Sequence, residues 1–533
     1  MGTISFLIGL PLLGLLVMTF VPNKFTSSFK WMALVTTLLQ LGWFLGDWLP
    51  HFTSAEGIVE SGARISYLLS EQMPWITLSV GKWGTLLIQY ALGVDGLAMM
   101  LVLLTVIVMP IAVLSSWNIQ DRPKAYFQLL MLLNASTIGV FCAVDLFLFY
   151  VFFEFMLLPM FFLIGIWGGP RKEFAAIKFF IYTLVGSILI LLVMVGLAFS
   201  YQLPGEVLTL NLADMAGMDS SGGFKYLRSD GVFAAGQTML GFDARSLAFW
   251  AMFIGFAIKL PMVPFHTWLP DAHVEAPTPV SVILAALLLK IGGYGMIRIL
   301  LPLFPAEFAQ HAAWVGILGM VSIVYGALVA MAQRDLKALV AYSSISHMGY
   351  VLLGLASGEL AGWNGAAFQM FTHGLVSAML FLIVGVVYDR VHDRMIENFR
   401  GLWDLMPRYS LFVLIAFFAS LGLPGFCAFI SEVLVFMGAF SSGVSTGWLP
   451  GWVAAVSLLG LVLGAAYYLR TYRQMFFGKF DPNHTSSWEN ALVDLNAREY
   501  LMLIPLSLLV IAFGLFPMLI LSWVDSAMGA LMG

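Results

Sequence analysis

KLPMVPFHTWLPDAHVEAPTPVSVILAALLLKIGGYG, residues 259–295, is where the reading of this chain begins. Together with the apolar run before it, the stretch describes one membrane span that stops abruptly and a second that follows at once. Lys259 lies about 13 residues into the first run and directly precedes Pro261 and Pro264. Proline removes a backbone donor and clashes with the preceding turn, so the helix breaks there. Lys290 stands at the centre of the next run. A charged lysine at bilayer depth costs at least ~2.5–3.5 kcal/mol on insertion scales, so two in succession mark a task.

Composition widens this to the whole chain. Of 533 residues, 61% are hydrophobic and only 10% charged, against about 25% charged in soluble domains, so the protein is integral to a membrane. A net charge of −4 without a long basic block gives no footing for nucleic acid. The two cysteines, Cys142 and Cys427, lie in separate apolar segments and are too few for an iron–sulfur cluster. No glycine-rich nucleotide motif is present. His266, Asp271, His273 and Glu275 are ligand types, but they follow the break in a proline-containing loop and read as loop residues. The expectation is that this chain carries no metal or cofactor, and that any redox chemistry resides in partner subunits.

Apolar runs of about 20 residues suit a ~30 Å hydrocarbon core at 1.5 Å per residue. Fourteen are expected, near 3–21, 31–50, 93–114, 125–144, 146–168, 175–200, 246–268, 277–300, 312–332, 338–357, 364–388, 410–440, 450–472 and 500–523. They are called spans 1–14 below. The first reads as a retained span, since it lacks the basic start and small-residue cleavage site of a signal peptide. One alternating set of loops holds 16 of the 25 Lys and Arg, Lys337 among them, and the other only five, Arg64 among them. By the positive-inside rule the first set is cytoplasmic and both termini lie opposite. Two long polar loops, about 51–90 and 201–245, fall on the outer side, and the second, rich in Gly, Ser and Asp, shows no sign of a folded domain.

Residues 1–533 therefore read as one all-α transmembrane domain with an internal repeat. AAIKFFIYTLVGSILIL (175–191) and AAFQMFTHGLVSAMLFL (366–382) agree at seven of 17 positions. They are the third spans of two five-span blocks, spans 4–8 (125–300) and 9–13 (312–472). An odd number of spans inverts one block relative to the other, a transporter pattern. Spans 1–3 (1–120) precede the blocks, and a cytoplasmic loop with the last span (473–533) follows. Span 12, with GLPGFCAFISE around Pro424, breaks at the same ordinal place as span 7. Backbone freed at that depth survives where it lines a wet cavity or is buried in protein.

Titratable residues cluster around these breaks. Glu154 in span 5 is the only carboxylate within the first block's spans and the natural counter-charge for Lys259. A lysine whose charged form is disfavoured by burial and restored by a movable carboxylate is a switch; the bland alternative is a fixed ion pair. Lys290 has no acidic residue within two turns on its own helix and reads as an unpaired proton carrier. Lys178, one turn inside span 6, is a weaker candidate because a lysine there can snorkel to the interface. His347 and His373 sit at similar depth in adjacent spans beside Ser343, Ser344 and Thr372, suited to relaying protons near neutral pH. Glu432, eight residues beyond Pro424, suits the exit. Each of these has a packing or capping alternative. Asp145 reads simply as an N-cap.

KLPMVPFHTWLPDAHVEAPTPVSVILAALLLKIGGYG, DLKALVAYSSISHMGY, FTHGLVSAMLF and LPGFCAFISE together resemble the antiporter-like membrane subunits of complex I, the proton-pumping NADH-quinone oxidoreductase, of the chain M or subunit 4 type. The resemblance runs from about 90 to 480. It implies about 14 helices, two inverted five-helix repeats, broken helices 7 and 12, and one proton channel through Glu154, Lys259, Lys290, the histidine region and Glu432. It also implies a translocase whose flavin, iron–sulfur clusters and quinone lie in partner subunits: sister antiporter-like subunits and a peripheral redox arm, in a bacterial inner membrane among lipids. Three alternatives stay open: a multi-subunit cation/proton antiporter or a proton-pumping membrane hydrogenase, a haem-bearing quinol protein built on His347 and His373, and a purely structural scaffold.

Overall fold

A computed structural model describes residues 2–54, 65, 67–219, 223–234, 236–479, 488 and 491–532. Arg64, counted above among the outer cations, lies outside the described residues, as do parts of the 51–90 and 473–533 segments.

Long helices dominate. Among the described residues, 12 are long and apolar enough to cross a membrane, from Thr3–Phe20 to Ala497–Leu515. Shorter apolar helices complete the interrupted segments: Pro407–Ser420, Cys427–Ser442 and Met518–Met532. Large apolar side chains on the rim face outward, including Leu192 (64% exposed) and Val462 (67%). Water would not tolerate so many, and hydrocarbon does. The interior consists of Gly96–Ser115, Thr278–Leu303, Leu336–Ala356 and Leu360–Val391, nearly all of whose side chains are buried.

Both expected breaks occur. Span 7 runs as Ala244–Lys259, stops at Lys259 and resumes as Trp268–Glu275. Pro261 cannot donate within a continuing helix, so the ladder ends at the Leu260 amide just before it. Span 12 runs as Pro407–Ser420 and Cys427–Ser442. Between them Gly422 and Gly425 have φ of +72° and +98°, a region glycine enters without steric cost. Span 14 also breaks, at Phe516 and Pro517. Span 8 is continuous but carries widened turns at Leu284–Leu288 and Met296–Leu300.

The outer loops hold more order than their sequence suggested. Strands β1 (Leu69–Ser79) and β2 (Thr85–Val94) form an antiparallel hairpin turned at Gly81 and Gly84, both with positive φ. β3 (Gln202–Leu203) and β4 (Val207–Thr209) extend it, β4 running parallel to β2. The all-α reading thus holds for the spans but not for these loops, which carry a small sheet. Residues 93 and 94, expected in span 3, belong to β2, and the helix starts at Gly96 under an Asp95 cap. Asp145 is the N-cap expected, accepting from the amides of Gln89, Phe147 and Leu148. It thereby ties the hairpin to span 5.

Candidate functional site

The helix ending at Lys259 places that side chain beneath the span 7 break, 1% exposed. Its Nζ makes no hydrogen bond; it sits 5.2 Å from the Phe153 ring centroid and 5.5 Å from that of Phe179. Aromatic faces offer a cation partial compensation. Glu154, next to Phe153, does not close on Lys259 to hydrogen-bonding distance, and its Oε1 has no partner either. The carboxylate instead borders an outward-opening cavity of about 400 Å³ with Tyr150 and Phe180. The expected switch pair is therefore open.

Lys290 is fully buried in span 8. Its Nζ donates to the Ala285 carbonyl at 2.5 Å and meets His373 Nδ1 at 2.7 Å. The Ala285 carbonyl lies in the widened turn Leu284–Leu288, where the helical ladder is loosened and carbonyls are freed for side chains. The reading of Lys290 as unpaired is corrected here: it lacks a carboxylate but has a histidine, donated by the second block.

From His373 the line continues. The His373 and His347 ring centroids are 5.4 Å apart. His347 Nδ1 lies 3.3 Å from Gln369 Nε2 and 3.7 Å from Glu432 Oε1, and its Nε2 lies 3.3 Å from Ser420 Oγ. Ser420 donates to Tyr468 at 2.7 Å, and Tyr468 to Ser343 at 3.1 Å. On the other side Ser431 donates to Gln369 and lies 3.2 Å from Thr372. Both nitrogens of His347 and Nδ1 of His373 are thus engaged. Glu432 is buried, packed against the span 12 break: a Cβ at Gly422 would fall 2.2 Å from Glu432 Oε2.

Two groups of candidates emerge. Lys290, His373, His347 and Glu432 form one close run joining the blocks. Glu154 and Lys259 form a second, linked to Lys290 by backbone packing, since Gly292 abuts the Leu260 amide and the Phe256 carbonyl. Lys178 joins neither. It pairs with Asp271 at 2.7 Å, partly exposed at the edge of the bundle.

Sequence reasoning missed several buried polar residues. Lys337, counted as a loop cation, is buried and donates to the Ala276 carbonyl at the span 7–8 joint. Its position two residues after the Asp335 cap made it look peripheral. His273, set aside with the loop residues, is fully buried, stacked on Phe381 at 4.4 Å, and both ring nitrogens lack partners. Arg298 pairs with Asp95 and donates to Tyr294, whose hydroxyl donates to the Phe141 carbonyl. Gln369, Ser420 and Tyr468 carried no signal beyond being polar in an apolar run. No group of three or more potential metal ligands occurs among the described residues.

Comparison with known proteins places the chain in a family and shows its fold. A family described as NADH:quinone oxidoreductase/Mrp antiporter, transmembrane, matches residues 143–458. NADH-quinone oxidoreductase subunit M of Rhodobacter capsulatus is 43% identical over 433 residues, 81% of this chain and 80% of that one. Subunit M of Rickettsia typhi is 36% identical over 520 residues, covering 97% and 96%. A chain of respiratory complex I from Thermus thermophilus superposes with a TM-score of 0.78 at 27% identity, covering 99% of this chain and 100% of that one. A chain of the Mrp complex of Dietzia sp. DQ12-45-1b shares the fold, with a TM-score of 0.75 at 20% identity. The chain belongs to the transmembrane NADH:quinone oxidoreductase/Mrp antiporter family.

Proposed function

We propose that this chain is the proton-translocating M-type membrane subunit of a complex I-type NAD(P)H-quinone oxidoreductase. Quinone reduction, with its flavin and iron–sulfur clusters, belongs to partner subunits, which include sister antiporter-like subunits and a peripheral arm. The setting is a bacterial inner membrane, with the basic loops cytoplasmic and both termini opposite. The observation carrying this reading is the Lys290–His373 contact, which joins the two five-span blocks into one route ending at Glu432.

In this mechanism Glu154 closes on Lys259 and holds its proton, then opens and releases it towards Lys290. A pair at about 4 Å is worth ~4 kcal/mol at an effective dielectric of about 20. That is roughly a thousandfold in proton affinity. Moving one charge against 100 mV costs ~2.3 kcal/mol. Opening the pair therefore exceeds the membrane potential by a narrow margin, and water access must be gated as well. From Lys290 the proton passes to His373 and His347 and leaves at Glu432. Lys178, with Asp271, serves the edge of the bundle as an auxiliary group.

Reconstituting the intact complex with Lys290→Ala tests this. Quinone reduction without a pH gradient, or loss of both together, supports the route. Full pumping overturns it. The Mrp part of the family description supports a second reading, a subunit of a cation/proton antiporter. Co-purification with flavin and iron–sulfur subunits excludes that reading.

A further inference from the structure

Spans 2, 3 and 14 flank an apolar groove of about 1300 Å³. Its walls include Leu38 and Leu41 from span 2, Ile107 and Leu114 from span 3, and Leu501 and Leu509 from span 14. These are bulky residues, and Leu501 is 63% exposed. Helix–helix seats in membranes favour small residues that let backbones approach. Walls of leucine, with Ser522 their one small residue, suit flexible hydrocarbon better than a neighbouring protein helix.

Helical periodicity places a cation or a polar group at one end of each wall. Residues three, four, seven, eight or eleven apart share a helix face. Lys30 precedes Leu38 by eight and Leu41 by eleven; Asn118 follows Leu114 by four and Ile107 by eleven; Arg498 precedes Leu501 by three and Leu509 by eleven. The side chains converge accordingly. Lys30 Nζ lies 3.5 Å from the Trp117 carbonyl and 5.0 Å from the centroid of its ring. Arg498 Nη1 donates to Asn118 Oδ1 at 2.9 Å. Two cations thus sit on consecutive residues, 117 and 118. Among the described residues neither forms an ion pair at 4.0 Å or less, and Arg498 and Asn118 also border a neighbouring cavity with Asp389 and Glu499. Trp31 and Trp117 pack edge to face beside them at 4.9 Å, as aromatic rings do at headgroup depth.

We propose that this groove binds one anionic diacyl phospholipid. Its phosphate lies between Lys30 and Arg498, and its acyl chains lie along the leucine walls. Cationic pockets between spans on the cytoplasmic side recognise anionic headgroups in this way. The part of the groove nearest the cations, Arg498 to Leu509, is 11 residues, about 17 Å of helix, one leaflet of a ~30 Å core; the groove itself runs on to Leu49 and Trp523. The occupant belongs to the leaflet on the side of the basic loops.

The intact complex, purified in mild detergent, tests this by native mass spectrometry with added phosphatidylglycerol or phosphatidylcholine. Phosphatidylglycerol is expected to be retained in preference, and Lys30→Gln with Arg498→Gln to weaken its retention roughly thirtyfold, the effect of two surface charges. Equal retention of the two lipids, or no change in the double variant, overturns the proposal. A photo-reactive benzoyl-phenylalanine at Leu501 in the otherwise native complex serves if the double variant fails to assemble. A phospholipid adduct supports the proposal, and an adduct with another polypeptide overturns it.

Discussion

Lys290 Nζ and His373 Nδ1 meet at 2.7 Å, although 83 residues and the boundary between the two five-span blocks separate them. On the proposed reading, the contact makes one route of what the sequence presents as a lysine block and a histidine block. Replacing His373 with Ala should therefore cost as much pumping as replacing Lys290, at least tenfold, with quinone reduction falling in parallel or uncoupling. Gradient formation in proteoliposomes, measured against quinone reduction, checks this; a fully pumping His373→Ala complex refutes it.

Lys259 and Arg298 are both buried cations, but their surroundings differ. Lys259 Nζ has no hydrogen bond to lose. Lys259→Met should leave the melting temperature of the complex within a few degrees of wild type while abolishing proton movement. Arg298→Ala strands Asp95 in the interior. Losing one member of a buried pair costs about 3–5 kcal/mol, so that variant should assemble poorly. Thermal denaturation and yield after purification separate the two cases.

Gly422 packs against the carboxylate it helps to position. Its φ of +72° disfavours any side chain, and a Cβ would collide with Glu432 Oε2. Gly422→Ala should cost about 1–3 kcal/mol from the backbone alone and displace Glu432 as well. Adding Glu432→Ala removes the collision but not the backbone strain. The double variant should regain part of its thermal stability and none of its pumping.

The Lys178–Asp271 pair is partly exposed, with side chains 22% and 26% accessible. Such pairs contribute ~0–1 kcal/mol. Lys178→Gln should change melting by no more than a few degrees and reduce pumping less than twofold. A loss as severe as that of Lys290→Ala would move Lys178 onto the main route.

How much of this could be read from the sequence varies with the physics involved. The interrupted spans were legible because proline and glycine act on their own backbone, within one turn. The β1–β2 hairpin was legible in principle: WITLSVGKWGTLLIQYALGV has β-branched and aromatic runs around a Gly-Lys-Trp-Gly turn. A search tuned to 20-residue apolar runs passes over it. Lys337 was misplaced because a residue in the first turn of a helix looks exposed, and only the fold lays the span 7–8 joint over it. The Lys290–His373 contact was not legible, since nothing local to either residue states which spans are neighbours. Gln369 and Ser420 matter through what they touch, and composition is silent on that.

Gly374, one residue beyond His373, leaves no room even for a methyl group. An added Cβ would lie 2.4 Å from Leu104 Cδ2 and 3.1 Å from the Ala286 carbonyl. The packing around His373 is therefore closed at van der Waals contact, against span 3 on one side and span 8 on the other. Rocking one half against the other, as carriers of bulkier solutes do, would tear this packing and the lysine–histidine bond with it. What remains is motion on the scale of rotamers and water molecules. On the proposed route the molecule would act as a conductor rather than a turnstile.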